Sequence, residues 1–245
     1  MPDLVLLRHG QSTWNALNLF TGWHDVDLSE LGEAEAGDAG KLLAGQADLD
    51  LRVVHTSVLT RAIRTANLAL DELGRSWIPV RRHWRLNERH YGALQGKNKK
   101  ETTAEFGIDQ VKVWRRSYST RPPAIADEFH PVHDPRYRGV PRAALPASEC
   151  LADVVARMVP YWEDVIVPDL HGAPGVLVVA HGNSLRALVK YLLGISDEEI
   201  VNLEIPTGVP WWFRLADDLS VTDEQLLGDP DAIKAAQEAT AHQAG

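Results

Sequence analysis

Short continuous apolar runs alternate along this chain with segments in which apolar residues recur every three to four positions. Leu4-Val5-Leu6-Leu7, closed by Arg8-His9-Gly10, predicts a buried strand. Leu51–His55, a short segment around Ile78-Pro79-Val80, Gly175–Ala180 and Trp211–Leu215 predict four more, with Trp211–Leu215 as the last. Residues 29–44 predict a helix, with Ser29 as its N-cap and Gly45 as its stop. Thr60 is expected to cap a second helix that carries Ile63, Ala66, Leu70 and Leu73 on one face, with Gly74 just beyond. From Ser148 a helical period places Leu151, Val154, Met158, Trp162 and Val165 together, with a kink expected at Pro160. Leu185, Leu188, Val189 and Leu192 mark another helix, ended by Gly194. Strands alternating with helices predict an α/β fold: a mainly parallel sheet with helices on both faces.

The pattern fails between about 92 and 147. One helix is expected near 101–117, followed by a stretch rich in proline, aspartate and histidine. So long an irregular segment inside a compact fold reads as a covering or binding element. Residues 1–245 are therefore read as a single domain carrying 92–147 as an irregular, partly helical insertion over the site. The alanine-rich tail, 229–245, is read as a frayed and mobile helix.

Composition narrows the function classes. A 245-residue chain with 44% apolar and 24% charged residues is long enough to bury a large core. No apolar run approaches the roughly 20 residues that span a bilayer, and the N-terminus lacks the basic start and cleavage site of a signal peptide. The single cysteine, Cys150, excludes an internal disulfide, fits a cytoplasmic protein, and reads as an inert core thiol. A net charge of −9 argues against nucleic acid as a partner, yet a few arginines focused in a cleft can still hold a small anion.

Two strands end in the same way, as Leu7-Arg8-His9-Gly10 and Val179-Ala180-His181-Gly182. Ligands of open α/β sheets bind beyond the carboxyl ends of the strands, so His9 and His181 are expected to share one pocket if their strands are neighbours. Glycine after each histidine permits a sharp turn or a close approach, and Gly182-Asn183-Ser184 opens a helix whose N–H groups suit an anion. Arg8 and Arg61 stand near the same edge, and the guanidinium fork matches phosphate oxygens in pairs. This predicts phosphoryl transfer through a neutral imidazole nucleophile at His9, with a backbone carbonyl fixing its tautomer and with arginine rather than metal supplying positive charge. His181, if protonated, can stabilise charge on the equatorial oxygens, and Glu88 is the candidate proton shuttle. Gly92-Ala-Leu-Gln-Gly96-Lys97 is no P-loop, having three residues between its glycines and no Ser/Thr after the lysine.

Arg8-His-Gly with the distant His181 resembles the histidine phosphatase superfamily. The runs Arg8–Asn15, Phe20–Trp23, Thr56–Ala62, Leu86–Gly96, Trp114–Arg116, His133–Tyr137, Ala180–Lys190 and Ile205–Pro210 resemble, more narrowly, the cofactor-dependent phosphoglycerate mutases, over about residues 1–215. Residues 124–133 and 138–150 match loosely, and Val221–Gly228 stands where the family has a tyrosine-bearing strand. The resemblance implies a glycolytic isomerase interconverting 3-phosphoglycerate and 2-phosphoglycerate, primed by 2,3-bisphosphoglycerate and needing no metal. It implies that His9 carries the phosphoryl group, that Glu88 moves the proton, and that Arg8, Asn15, Arg61, His181 and Asn183 hold the transferred group. Thr21, Gly22, Arg89, Tyr91, Lys99, Arg115 and Arg116 would hold the rest of the substrate. Gly10, Gln11, Ser12, His90 and Gly182 fall within the same matching runs and are expected beside it. The family also implies a homo-oligomer, dimer or tetramer, with the 52–80 region as the expected contact. Two other readings remain open: a histidine phosphatase hydrolysing a small phosphomonoester, and a non-catalytic phosphate sensor on the same fold.

Overall fold

Alternate residues of the central strands feed two separate cores. The structure, a computed structural model, describes residues 1–241, with the side chains of 1–238. Its strands are β1 (Asp3–Arg8), β2 (Leu51–Thr56), β3 (Val80–Arg82), β4 (Gly175–Ala180), β5 (Pro210–Leu215) and β6 (Val221–Leu226). They form one six-stranded sheet in the order β3-β2-β4-β1-β5-β6. The first four positions are parallel, while β5 runs antiparallel to β1 and β6 antiparallel to β5. Leu4, Leu6, Val176 and Val178 pack on one face against Leu151, Val154, Met158, Leu185 and Leu188. Val5, Leu7, Leu177 and Val179 pack on the other against Ala39, Leu43, Ala66 and Leu70. Burial on both faces explains why these strands read as unbroken apolar runs, each large side chain contributing ~1.5–3 kcal/mol.

The sheet places the chemistry. β1 and β4 are direct neighbours, with Arg8 opposite Ala180. The His9 N–H donates to the Ala180 carbonyl at 3.0 Å, so the two strand ends, and the histidines that follow them, leave the sheet side by side.

Several elements depart from the sequence expectations. The second helix, Thr60–Leu73, is not capped by Thr60; its N-cap is Leu59, whose side chain makes no capping bond. Asp25 takes that role from a distant loop, accepting from the Thr60 N–H at 2.7 Å and from its hydroxyl at 2.8 Å. The strand expected around 78–80 lies at Val80–Arg82 instead, because Pro79 has no N–H to give and uses only its carbonyl, which accepts from Val54. The single helix expected near 101–117 is two, Lys99–Phe106 and Ile108–Arg116, broken at Gly107 with φ +84°. The helix Leu151–Tyr161 contains Pro160 and runs on through a wide turn, Trp162–Ile166, into Val167–Gly172. The missing proline N–H interrupts the regular ladder, which the widened turn absorbs. Trp211–Leu215 is not the last strand, since β6 follows it as an edge strand with mostly exposed polar side chains and no apolar signature.

Residues 92–147 combine the two helices Lys99–Phe106 and Ile108–Arg116 and several short helical turns with an irregular stretch at 117–126. Tyr137 and Leu145 pack with Trp23 and Trp84, and Leu94 and Val111 with Phe20. These clusters anchor the segment over the carboxyl edge of the sheet. Pro230–Ala241 is a helix, and the expectation for the end of the tail lies outside the described residues.

Candidate active site

A cleft opens beyond the ends of β1 and β4. Arg8, Arg61, Lys99, Arg115, Arg116 and Arg186 line it, together with the carboxylates Glu88 and Glu204. Six cations against two carboxylates make a local positive field inside a chain of net charge −9, which suits a small polyanion.

His9 sits at its base. Nδ1 lies 2.6 Å from the Gly10 carbonyl, which can only accept, so Nδ1 carries the proton and Nε2 keeps its lone pair. Burial, reinforced by Arg61 and Arg8, holds the His9 pKa well below the ordinary value. The ring is therefore neutral at pH 7, as a nucleophile must be. Arg61, also buried, donates Nε–H to His9 Nε2 at 3.3 Å, with Nη2–H to the Gly22 carbonyl at 2.8 Å and Nη1–H to that of His24 at 3.1 Å. Gly22 has φ +56°, and its carbonyl is one of the groups that aim Arg61 at His9.

His181 stands edge-on to His9, ring centroids 4.9 Å apart. Its Nε2 lies 2.8 Å from Ser57 Oγ, which itself accepts from the Leu59 N–H. Burial, with Arg61 and His9 beside it, pushes its pKa well below the usual value, so the ring is neutral. Its Nδ1 is buried without a hydrogen-bond partner among the described residues.

Glu88 faces this pair from the segment after β3. Its Oε1 accepts from the Arg89 N–H at 2.7 Å and from the Asn183 N–H at 3.2 Å, the latter at the start of the helix Gly182–Leu193. Asn15 spends Oδ1 on the Ser12 N–H and lines the cleft with its remaining donor. Thr21, Gly22, Tyr91, Gly182 and Asn183 also line it, and the Asn183 amide donates to the Tyr91 hydroxyl at 3.3 Å. Lys99 reaches in from the covering helices, its pKa pulled down to about 7 by burial and then by Arg115 and Arg8. Buried polar atoms without a partner among the described residues include Arg8 Nε, Thr21 Oγ1, Arg89 Nε and Nη1, and Arg186 Nε. Groups of that kind are costly unless a ligand satisfies them.

Five of the expected residues lie behind the cleft. Gly10 is there for close packing: a Cβ on it would stand 2.1 Å from the Gly32 carbonyl oxygen. Gln11 donates its N–H to Glu35 at 2.6 Å, and Ser12 caps the turn Thr13–Ala16. The His90 ring accepts from the Gly92 N–H and borders a separate cavity. Arg89 lies under the Tyr91 ring, 4.6 Å from its centroid, and donates to the Arg115 carbonyl. Conversely, sequence reading missed Ser57, Arg186 and Glu204. Arg186 donates to Asn183 Oδ1 at 3.0 Å, and Glu204 pairs with Arg116 across the cleft. Ser57 and Arg186 lie inside the recognised runs, whereas Glu204 falls just before one, and nothing local marks it.

The comparisons agree with this geometry. The model of the histidine phosphatase superfamily (branch 1) matches residues 4–134 and 120–218. A 2,3-bisphosphoglycerate-dependent phosphoglycerate mutase from Thermobifida fusca is 59% identical, covering 99% of each chain. The chain belongs to this mutase family. Proteins of the same name from Streptomyces griseus (59% identical, 98% of this chain and 96% of that one) and Nitratidesulfovibrio vulgaris (58%, 94% and 92%) are similar over nearly full length. Among solved structures, a mycobacterial glucosyl-3-phosphoglycerate phosphatase complexed with VO3 has a TM-score of 0.68 at 26% identity, over 92% of this chain and 97% of that one. The alpha-ribazole phosphatase of Shigella flexneri has 0.68 at 20% identity, over 93% and 96%. The phosphatase neighbours share the α/β frame, and the higher identity, over nearly the full length, lies with the mutases.

Proposed function

We propose that this chain interconverts 3-phosphoglycerate and 2-phosphoglycerate through a phosphohistidine on His9. The observation that carries the reading is a neutral, buried His9 whose unprotonated Nε2 meets Arg61, ringed by arginines, beneath a cover that supplies Lys99, Arg115 and Arg116. Arg8 Nε, Thr21 Oγ1 and Arg186 Nε, on residues that line this cleft and buried without a partner among the described residues, fit a ligand with more than one anionic group. When bound, 2,3-bisphosphoglycerate supplies the phosphoryl group that loads His9.

His9 Nε2 attacks phosphorus while Nδ1–H stays on the Gly10 carbonyl, so the ring keeps one orientation through the transfer. Arg8 and Arg61 neutralise charge on the equatorial oxygens, Asn15 and Asn183 stand around them, and His181 lies beside His9 as a neutral ring that adds no charge. Glu88 gives a proton to the leaving substrate oxygen and takes it back from the hydroxyl that next attacks. Thr21, Tyr91, Lys99, Arg115 and Arg116 hold the carboxylate and the second phosphate, with Arg89 bracing Tyr91. The same cover keeps water from the phosphohistidine while the substrate reorients. Arginines and a helix N-terminus supply the positive charge, so the reaction as read needs no metal.

The reading places the protein in the cytoplasm, which the single buried Cys150 supports; among the described residues no helix is long and apolar enough to cross a membrane. A homo-oligomer, dimer or tetramer, is the proposed assembly, and the edge strand β3 near the exposed Trp77 supports a contact there.

The test is conversion of 3-phosphoglycerate with and without 2,3-bisphosphoglycerate and with chelator. Primer-dependent, chelator-insensitive isomerisation is expected, as is an acid-labile label on the wild type that His9→Ala lacks. Steady release of inorganic phosphate without isomerisation would instead favour the phosphatase reading.

A further inference from the structure

Behind Glu88, on the side away from the cleft, lies a buried ion pair for which the proposed chemistry has no use. Arg157, on the helix Leu151–Tyr161, donates Nε–H to Glu149 Oε1 at 2.6 Å and Nη2–H to Oε2 at 3.1 Å. Both side chains are largely out of solvent, at 8% and 3% exposure. The remaining hydrogen-bonding capacity of the pair goes to one stretch of backbone. Arg157 Nη2 reaches the carbonyls of Asn87 at 2.9 Å and Glu88 at 3.0 Å, and Nη1 that of Arg85. Glu149 Oε2 accepts from the His90 N–H at 2.8 Å, and the Glu149 N–H returns a bond to the His90 carbonyl at 2.8 Å. Trp23 adds its indole N–H to the Glu88 carbonyl, and the Arg157 guanidinium lies 5.7 Å over the Trp23 ring.

Buried ion pairs are weak stabilisers, because desolvation consumes most of their attraction. This pair nevertheless grips residues 85, 87, 88 and 90, the segment that carries the proposed proton shuttle and has no strand or regular α-helix of its own. Only a planar fork with five N–H groups can serve a carboxylate and three carbonyls at once. The Glu88 carbonyl takes two donors, from Arg157 and Trp23, so its backbone is fixed from behind while its carboxylate faces the cleft.

We propose that Glu149 and Arg157 are positioning residues that act through Glu88: they set the height at which its carboxylate meets the substrate oxygen. The inference rests on Glu88 being the proton shuttle of the proposed mutase. A displacement of about an ångström at such a group costs on the order of 10²-fold in rate.

A double-mutant cycle tests it, using the full chain. Arg157→Lys keeps the charge and loses the fork; Glu149→Gln keeps the shape and an acceptor for His90 and loses the charge. Each is expected to lower kcat about 10- to 100-fold with KM for 3-phosphoglycerate within about threefold. In a Glu88→Gln background the same substitutions should cost less than about threefold, since the group they position has gone. Equal losses in both backgrounds, a rise in KM with kcat unchanged, or failure of both variants to fold would each overturn the proposal and leave the pair a general structural support. Wild type that fails to isomerise 3-phosphoglycerate would overturn the mutase reading itself, a result visible before any variant is made.

Discussion

Arg61 Nε points its hydrogen at His9 Nε2 across 3.3 Å, so the proposed nucleophile is hydrogen-bonded to the cation that would follow its phosphoryl group. The guanidinium is held in place by two backbone carbonyls, those of Gly22 and His24, from a loop far away in sequence. A lysine can supply the charge there but not the three directed bonds. Arg61→Lys is expected to lower kcat about 10²- to 10³-fold, the usual cost of one transition-state donor, with a smaller change in KM. Steady-state kinetics of the purified variant check this, and a KM effect larger than the kcat effect would contradict it.

Glu204 sets a different expectation. Its carboxylate pairs with Arg116 inside a cleft built for anions, so a substrate carboxylate or phosphate must compete for that guanidinium. Removing the competitor in Glu204→Gln should release ~1 kcal/mol of a partly exposed pair, lowering KM about fivefold. Direct titration of 3-phosphoglycerate should show the same tightening, and weaker binding would mean that Glu204 orients Arg116 instead of competing for it.

Lys99 gives a pH dependence. Burial and the neighbouring arginines bring its pKa to about 7 in the free enzyme. The ammonium needed to hold an anion is therefore present below about pH 7 and lost as pH rises through it. The ratio kcat/KM, which reports free-enzyme groups, should fall between pH 7 and 8.5. Lys99→Arg should flatten that limb by keeping the charge, and a limb of unchanged position in that variant would assign the titration elsewhere.

Acid should destabilise the fold through buried neutral histidines. Burial, then His130 and Arg157, brings His90 to about 3, and its ring accepts from the Gly92 N–H, a bond that protonation would break. A histidine of depressed pKa binds its proton more readily in the unfolded chain. Stability is thus complete above about 6.5 and falls as pH drops toward the folded value. Between pH 7 and 5 His90 alone should cost ~2 kcal/mol. Urea unfolding at both pH values checks this; His90→Asn, which keeps a short acceptor, should reduce the acid loss by a similar amount.

How much of this was legible follows from how local each signal is. Strands buried on both faces announce themselves as apolar runs, so β1, β2, β4 and β5 could be placed from Leu4–Leu7 and its counterparts. The edge strand β6 could not, because its exposed polar side chains carry no such mark. The break at Gly107 and the cap that Asp25 lends to Thr60–Leu73 depend on backbone geometry and on a distant loop. His9, Glu88 and Arg61 stood out through residue type and motif. Ser57, Arg186, Glu204 and Arg157 did not, since each matters only for what it meets after folding.

By itself, then, the sequence determined the alternating α/β pattern, the histidine at each of two strand ends and the motif runs that mark the family, because periodicity and motif are properties of neighbours along the chain. Only the tertiary structure decided that β1 lies beside β4, that both histidines are held neutral, and that Gly10, Gln11, Ser12 and His90 support the cleft from behind. Those outcomes are set by strand order, by desolvation and by close approach of backbones, which arise only when residues far apart in the chain share one low-dielectric interior.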